Sequence, residues 1–137
     1  MQTIKWLDKE EIDKSLGVLF DLYPQDTSKQ DNVDSFTIIK PEIIDYILNL
    51  RAINYKNDVL SNAAAIAKTI IKGHPLLDGN KRFGMLLSER FLEINRYIIR
   101  TSQRDYKNAA INLANSSWDK KEFLQWLKRV AKKKTTI

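Results

Sequence analysis

Residues 58–84 read DVLSNAAAIAKTIIKGHPLLDGNKRFG, and this stretch decides the fold. Its first part carries apolar residues at helical spacing, which predicts a helix with one buried face. The alanines are small enough to let a neighbouring helix approach closely, and Gly73 is suited to cap the helix end. Apolar residues recur at helical spacing again after Asn80. The stretch therefore predicts a polar loop between two helices, of which the first is apolar enough to be central.

The rest of the chain also shows mostly helical patterning. We predict further helices at four places: from Asp8 to a stop at Pro24, from Pro41 through PEIIDYILNLRA, over about residues 104–115, and over about residues 119–132. Short extended segments are expected at residues 36–39 and 97–101. The polar residues 24–35 are the best candidate for a loop.

Length and composition limit the class of protein. A chain of 137 residues predicts a single domain, residues 1–137, with a frayed basic tail at about residues 131–137. The chain has no cysteine, which excludes cysteine catalysis and thiolate metal sites and favours a reducing compartment. No long apolar run indicates a membrane span, and the charged start does not look like a signal peptide, so we expect a cytoplasmic protein.

The net charge of +6 suggests an anionic partner. Nucleotide phosphates, nucleic acid and an acidic protein all satisfy it, and the charge alone does not choose among them. The C-terminal stretch KRVAKKKTTI supplies much of the excess, and it is better explained as a solvated helix end than as a nucleic-acid arm.

The loop contains the two side chains that proton transfer and metal binding would need. His74 is the only histidine of the chain, and histidine is the usual general base at neutral pH. Asp78 stands just before the predicted helix start. A bound phosphate would repel this carboxylate unless a divalent cation lay between them, and Mg²⁺ commonly uses only one or two protein carboxylates. We therefore assign His74 as the base and Asp78 as the ligand of Mg²⁺.

The start of the second helix has the features of an anion site. Its first backbone N–H groups have no partner within the helix, and the helix dipole favours an anion there. Gly79 lets a phosphate approach the backbone, and the amide of Asn80 can orient an oxygen. Lys81 and Arg82 add positive charge, the arginine with a geometry suited to phosphate. Base, metal ligand and anion site together favour phosphoryl or nucleotidyl transfer.

Each of these residues also has an ordinary structural explanation. A histidine before a proline is usually a loop residue, Asp-Gly-Asn is common turn chemistry, and Lys-Arg after a turn is usually solvated. Their joint occurrence in one nine-residue order, HPLLDGNKR at residues 74–82, is what favours function.

That order resembles the signature of the Fic/Doc (Fido) family, and the resemblance is specific over about residues 58–98. It implies an all-α fold, a compact Fic/Doc helical bundle. By analogy, His74 is the general base and Asp78 holds Mg²⁺. The same analogy assigns phosphate binding to Gly79, Asn80, Lys81 and Arg82. The sequence departs from the family at Leu76, where a phenylalanine usually anchors the loop.

Two positions select a branch of the family. Relatives that transfer AMP have glycine where Lys81 stands and a second arginine where Met85 stands. The combination found here resembles Doc, the toxin of a toxin–antitoxin pair. The resemblance implies an ATP-dependent kinase that phosphorylates a Ser/Thr hydroxyl of a translation factor similar to elongation factor Tu, and so blocks translation. A lysine would fill space near the nucleotide phosphates and place the γ-phosphate, rather than the α-phosphate, near the base.

Other consequences concern partners and regulation. No glutamate fits the family's inhibitory-helix pattern, so control by a separate antitoxin protein is expected. The family pairs a target strand with a flap hairpin, for which residues 51–57 are the candidate. The alternatives are AMP transfer by the same site, an inactive Fic-like protein, or a basic helical module that binds nucleic acid. Nucleic acid is not expected, because the only cation cluster lies away from the motif and lacks base-reading side chains.

Overall fold

The computed structural model describes residues 3–22, 36–53 and 58–134. Its elements in chain order are α1 (Lys9–Leu22), α2 (Pro41–Leu48), α3 (Leu50–Ile53), α4 (Val59–Gly73), α5 (Asn80–Ile94), β1 (Tyr97–Ile99), α6 (Gln103–Ala114), α7 (Lys120–Val130) and β2 (Ala131–Lys133). The prediction of a compact all-α fold is confirmed, since the two strands are the only departure from helix among the named elements.

Helix α4 forms the centre of the bundle and packs against α2, α5, α6 and α7. Its alanines allow the close packing that their size predicts. At the crossing with α5, a Cβ atom on Gly84 would lie 2.6 Å from Ile71 Cγ1 and 3.2 Å from the carbonyl oxygen of Ala67. Gly84 therefore lets the two helices that flank the loop meet almost backbone to backbone, which fixes both ends of the loop.

An ion pair holds α1 on the opposite side of α5. The Arg90 guanidinium donates to Glu11 through Nε at 2.7 Å and through Nη2 at 3.2 Å. This hydrogen bond lowers the pKa of the Glu11 carboxyl and raises that of Arg90. Because the pKa of Glu11 is lower in the folded state than in the unfolded state, the ion pair stabilises the fold fully at pH values above the unfolded-state pKa. This stabilisation is lost as the pH falls through the folded-state pKa.

The basic tail is ordered where the sequence predicts fraying. Residues 131–133 form β2, which pairs antiparallel with β1, with Ile98 opposite Lys132. The prediction of a frayed tail is therefore wrong for these residues, whereas the extended segment expected near residues 97–101 is confirmed as β1. Residues 135–137 lie outside the described part of the chain.

Two local predictions near the second helix need correction. The helix that begins at Pro41 does not run through residue 52, because it ends at Leu48 and restarts as α3 at Leu50. Residues 51–53 of the proposed flap are consequently helical, so a hairpin over residues 51–57 is wrong for that part. Residues 54–57, like the predicted loop 24–35, lie outside the described residues. None of the helices in residues 3–22, 36–53 and 58–134 is long and apolar enough to cross a bilayer.

Candidate active site

His74 lies at the exact end of the central helix. It takes the left-handed conformation, with φ 52° and ψ 58°, and its backbone N–H donates to Ile70 O at 3.1 Å. Gly73, which the sequence predicts as the cap, is instead the last helical residue. A Cβ there would lie only 3.1 Å from Ile43 Cδ1, so the close packing of α2 explains why position 73 is a glycine. The His74 side chain is exposed and carried by the end of a buried helix.

Asn80 holds the loop in shape from inside. Its Oδ1 accepts the backbone N–H of Leu76 at 2.9 Å, and its Nδ2 donates to Leu76 O at 3.0 Å. The same Nδ2 lies 3.4 Å from Nδ1 of His74. The amide that we assigned to phosphate binding is thus engaged within the protein. The backbone N–H of Asn80 remains at the start of α5 for the predicted role.

The Asn80 amide also determines which nitrogen of His74 can accept a proton. Its two bonds to the Leu76 backbone fix which amide atom is oxygen and which is nitrogen. The atom facing Nδ1 of His74 is therefore a donor, which favours the tautomer that has its lone pair on Nδ1 and its hydrogen on Nε2. Since 3.4 Å is long for a hydrogen bond, a substrate hydroxyl can compete for that lone pair.

Gly79 is the second residue of the loop, after His74, that adopts the left-handed conformation, with φ 82°. Its N–H donates to Asp78 Oδ1 at 2.8 Å. A Cβ at this position would lie 2.4 Å from Cε1 of Phe36, so the missing side chain makes room for an aromatic ring. Phe36 in turn meets Phe20 edge to face, with ring centroids 5.2 Å apart. Sequence reasoning missed Phe36, because it lies 38 residues before the motif and carries no polar group.

The start of α5 is exposed and positively charged. Gly79 is its N-cap residue and provides no side-chain hydrogen bond to the first turn. Lys81 and Arg82 lie on this turn with exposed side chains, and Asp78 is exposed beside them. The residues named as an anion site are therefore brought together at one helix end, next to Nδ1 of His74.

A short extended segment fastens the loop from outside. Leu77 N–H donates to Thr37 O at 2.9 Å, and Ile39 N–H donates to Pro75 O at 2.8 Å. Between these bonds Ile38 forms an isolated antiparallel bridge with Leu76. Leu76 is fully buried, so it serves as the apolar anchor that the family's phenylalanine usually supplies.

The position of the family's second arginine is part of the core in this chain. Met85 is only 3 % exposed and packs within the hydrophobic cluster. An arginine at this site would have to bury its charge, so the surroundings of position 85 do not form a phosphate site. Lys81 and Arg82, in contrast, are exposed at the start of α5.

The arrangement fits Mg²⁺ only as a nucleotide-bound ion. The described residues contain no group of three His, Cys, Asp or Glu side chains that could hold a metal alone. Asp78 uses Oδ1 for Gly79 and has its second oxygen exposed beside the anion site. One carboxylate suits Mg²⁺, which keeps waters and phosphate oxygens in its coordination sphere.

Comparison with known proteins gives one match. The model of the Fic/DOC family matches residues 6–92, which is more than half of the chain. The matched part runs from the segment before α1 through the whole loop and into the last turn of α5. No curated protein matches the chain.

Proposed function

Because the chain belongs to the Fic/DOC family, we propose that it is a Doc-like toxin that phosphorylates a translation factor. Members of the family are in general transferases that act on proteins. In the proposed reaction the γ-phosphate of ATP passes to a Ser/Thr hydroxyl of a factor similar to elongation factor Tu, and translation stops. A separate antitoxin protein would hold this activity in check.

The residues at positions 81 and 85 are the observation that supports phosphate transfer over AMP transfer. Lys81 places a long cationic side chain at the start of α5, where AMP-transferring relatives have glycine. Met85 is buried where those relatives have an arginine. Both differences remove features that those relatives use to hold the nucleotide for AMP transfer.

In the proposed reaction, His74 takes the proton of the attacking hydroxyl on Nδ1. The hydroxyl oxygen forms a bond to the γ-phosphorus while the bond to the ADP oxygen breaks, and ADP leaves with that electron pair. The backbone N–H groups at the start of α5, together with Lys81 and Arg82, stabilise charge on the phosphate oxygens. Mg²⁺ bound with ATP would neutralise phosphate charge, and Asp78 would hold it.

The protein substrate can be positioned by the segment that fastens the loop. Thr37 O and Ile39 N–H point towards the loop, so the N–H and C=O of Ile38 face the opposite edge. Ile38 and Ile39 are exposed at 40 % and 49 %. We therefore assign the target-binding edge, predicted at residues 51–57, to residues 37–40, where an extended target segment could pair beside His74.

The test uses ATP labelled separately at the α and γ positions, incubated with Mg²⁺ and a purified translation factor. We expect only the γ label on the target. Lys81→Gly should strongly reduce this transfer, whereas Lys81→Arg, which keeps charge and bulk, should retain most of it. Transfer of the α label by the wild-type protein would make AMP transfer the correct function.

Restoring the second arginine is not a simple companion test. Met85→Arg would place a charge in the core, which destabilises proteins when no partner is present. Thermal unfolding of Met85→Arg must therefore be measured before its activity is interpreted. A folded Lys81→Gly, Met85→Arg protein that transfers the α label would support Lys81 as the residue that sets the nucleotide position.

Asp78→Asn should remove most of the effect of Mg²⁺ on ATP binding. The asparagine retains an oxygen that can accept the Gly79 N–H, so the loop should keep its shape while the anionic ligand is lost. We expect the Mg²⁺ enhancement of ATP affinity to fall at least about tenfold, a loss typical even of residues that only support a metal ligand. Calorimetry with and without Mg²⁺ measures this, and Asp45→Asn on α2 is the control. An unchanged enhancement would place the metal elsewhere.

A further inference from the structure

The net positive charge of this protein comes from its C-terminal part. Residues 96–134 contain eleven Lys or Arg and three Asp or Glu, whereas residues 1–95 contain twelve and fourteen. The net charge of +6 thus arises entirely beyond the part that the family model matches, which ends at residue 92. This part needs an explanation other than the transfer site.

Strands β1 and β2 gather several of these charges into a short two-stranded ribbon. Beyond the paired strands, Arg100 N–H donates to Val130 O at 2.8 Å and Lys134 N–H donates to Arg96 O at 2.7 Å. The ribbon therefore extends over residues 96–100 and 130–134. Tyr97 and Ile99 pack against the core, and Lys133, opposite Tyr97, has its Nζ 6.0 Å from the centre of that ring. Because strand side chains alternate between faces, the other four exposed cations share the opposite face of the ribbon: Arg96, Arg100, Lys132 and Lys134. We call these four residues the basic ribbon.

The basic ribbon is electrostatically unfavourable for the protein alone. Arg96 stands opposite Lys134, and like charges facing each other across strands destabilise a sheet. The salt bridges of residues 3–22, 36–53 and 58–134 include none of the four cations. Lys134 borders a groove that also contains the carboxylates of Asp8, Glu11 and Glu93. Glu11 and Glu93 are already paired with Arg90. The arrangement is therefore suited to an anion supplied from outside.

The geometry favours a regular polyanion. Lys132 and Lys134, two residues apart on a strand, are roughly 6.7 Å apart, a spacing comparable with that of successive phosphates on a nucleic-acid strand. Arg96 and Arg100, four residues apart, span about twice that distance. A two-stranded ribbon also fits the major groove of a double helix. Tyr97, the aromatic residue of β1, packs against the core on the other face and has Lys133 over its ring, whereas single strands are usually bound by stacking bases on exposed rings. A duplex held by its phosphates agrees best with these features.

We infer that the basic ribbon binds the phosphate backbone of double-helical nucleic acid without sequence preference. Phosphate contacts position a protein on a duplex and need no base-reading side chains. The absence of such side chains therefore no longer argues against nucleic acid. Helix α5, about 22 Å long for its 15 residues, has the His74 loop before its first residue and the ribbon after its last, so we expect a bound duplex to leave the loop accessible. The inference is independent of the proposed transfer reaction.

The experiment measures binding of a labelled mixed-sequence DNA duplex by fluorescence anisotropy as salt rises from about 50 to about 200 mM. If the protein contacts four phosphates, the logarithm of the association constant should fall with the logarithm of the salt concentration with a slope of about −3.6. Over this range of salt the affinity should fall roughly 100-fold. The variant Arg96→Gln, Arg100→Gln, Lys132→Gln, Lys134→Gln should lose most of both affinity and slope. Each single change should reduce the slope by about one.

A matched control separates the ribbon from net charge. Lys9, Lys14, Lys107 and Lys121 are exposed on helices elsewhere, and changing all four to Gln removes the same charge. This control should keep nearly the wild-type slope. Equal losses in the two quadruple variants would overturn the inference, as would a wild-type slope near zero.

Two further probes decide the class of partner. A poly-glutamate peptide that binds more tightly than the duplex through the same four residues would show an acidic protein partner and overturn the inference. Tighter binding of a single strand than of the duplex would also overturn it. Thermal unfolding is the folding control: because the ribbon variant relieves like-charge repulsion, its midpoint should not fall below that of the wild type. Transfer activity should be unchanged.

Discussion

Changing His74 to Ala should abolish measurable transfer, because the chain has no second histidine to act as base. Loss of a general base typically lowers the rate by about 10²–10⁴-fold. The change falls on the chemical step, so the turnover number should drop while ATP binding, which depends on the start of α5, stays nearly constant. Single-turnover transfer from γ-labelled ATP measures the effect directly.

The left-handed backbone at His74 requires a careful control. Alanine is strained in this conformation, so His74→Ala can also shift the loop. His74→Asn is the better partner variant, since asparagine adopts left-handed φ more readily but is not a base. Both variants should be inactive, and His74→Asn should unfold close to the wild-type temperature. Activity of either variant within twofold of wild type would remove His74 from the role of base.

Gly79→Ala should be the most damaging small substitution in the loop. The left-handed φ costs a side chain about 1–2 kcal/mol, and the added Cβ would collide with the Phe36 ring. Overpacking of this kind typically costs a further 1–3 kcal/mol. We expect a loss of about 2–5 kcal/mol in the free energy of unfolding, together with most of the transfer activity, since the ring or the loop must move.

The chain offers a matched control and a rescue for this prediction. Gly17→Ala makes the same change in α1, where nothing lies within 4 Å of the new Cβ, and should stabilise the helix. Phe36→Leu combined with Gly79→Ala should relieve the collision but not the backbone strain. The wild type, Gly79→Ala, Phe36→Leu and the double variant form a double-mutant cycle. Denaturant unfolding of these four proteins measures the coupling free energy between positions 36 and 79. Additive effects of the two changes would contradict the contact between Phe36 and Gly79.

The spacing of apolar residues along the sequence is sufficient to predict the central part of the fold. Apolar spacing in residues 59–71 predicts α4, and the polar loop followed by Asn80 correctly marks the first residue of α5. The strand β2 could not be predicted in this way. Its pairing with β1 joins residues more than 30 positions apart, and its lysines look like a solvated tail when read without that partner.

The same limit applies to the candidate site. The motif names the residues, but their tasks depend on contacts that spacing does not reveal. A left-handed helix end is most often glycine, so the sequence places the cap at Gly73, one residue before His74. The role of Asn80 as the support of Leu76 and His74 depends on the loop's path, and the use of Gly79 depends on Phe36.

The position of α4 bears on how much of this chain can fold independently. Lys72, two residues before His74, donates to Ala114 O at 3.0 Å and also contacts the hydroxyl of Ser116. Helices α6 and α7 cover the same central helix. The part of the chain that the family model matches therefore does not form a closed unit. A fragment ending after α5 would expose the alanine-rich surface of α4 to water, and the histidine would lose its fixed support.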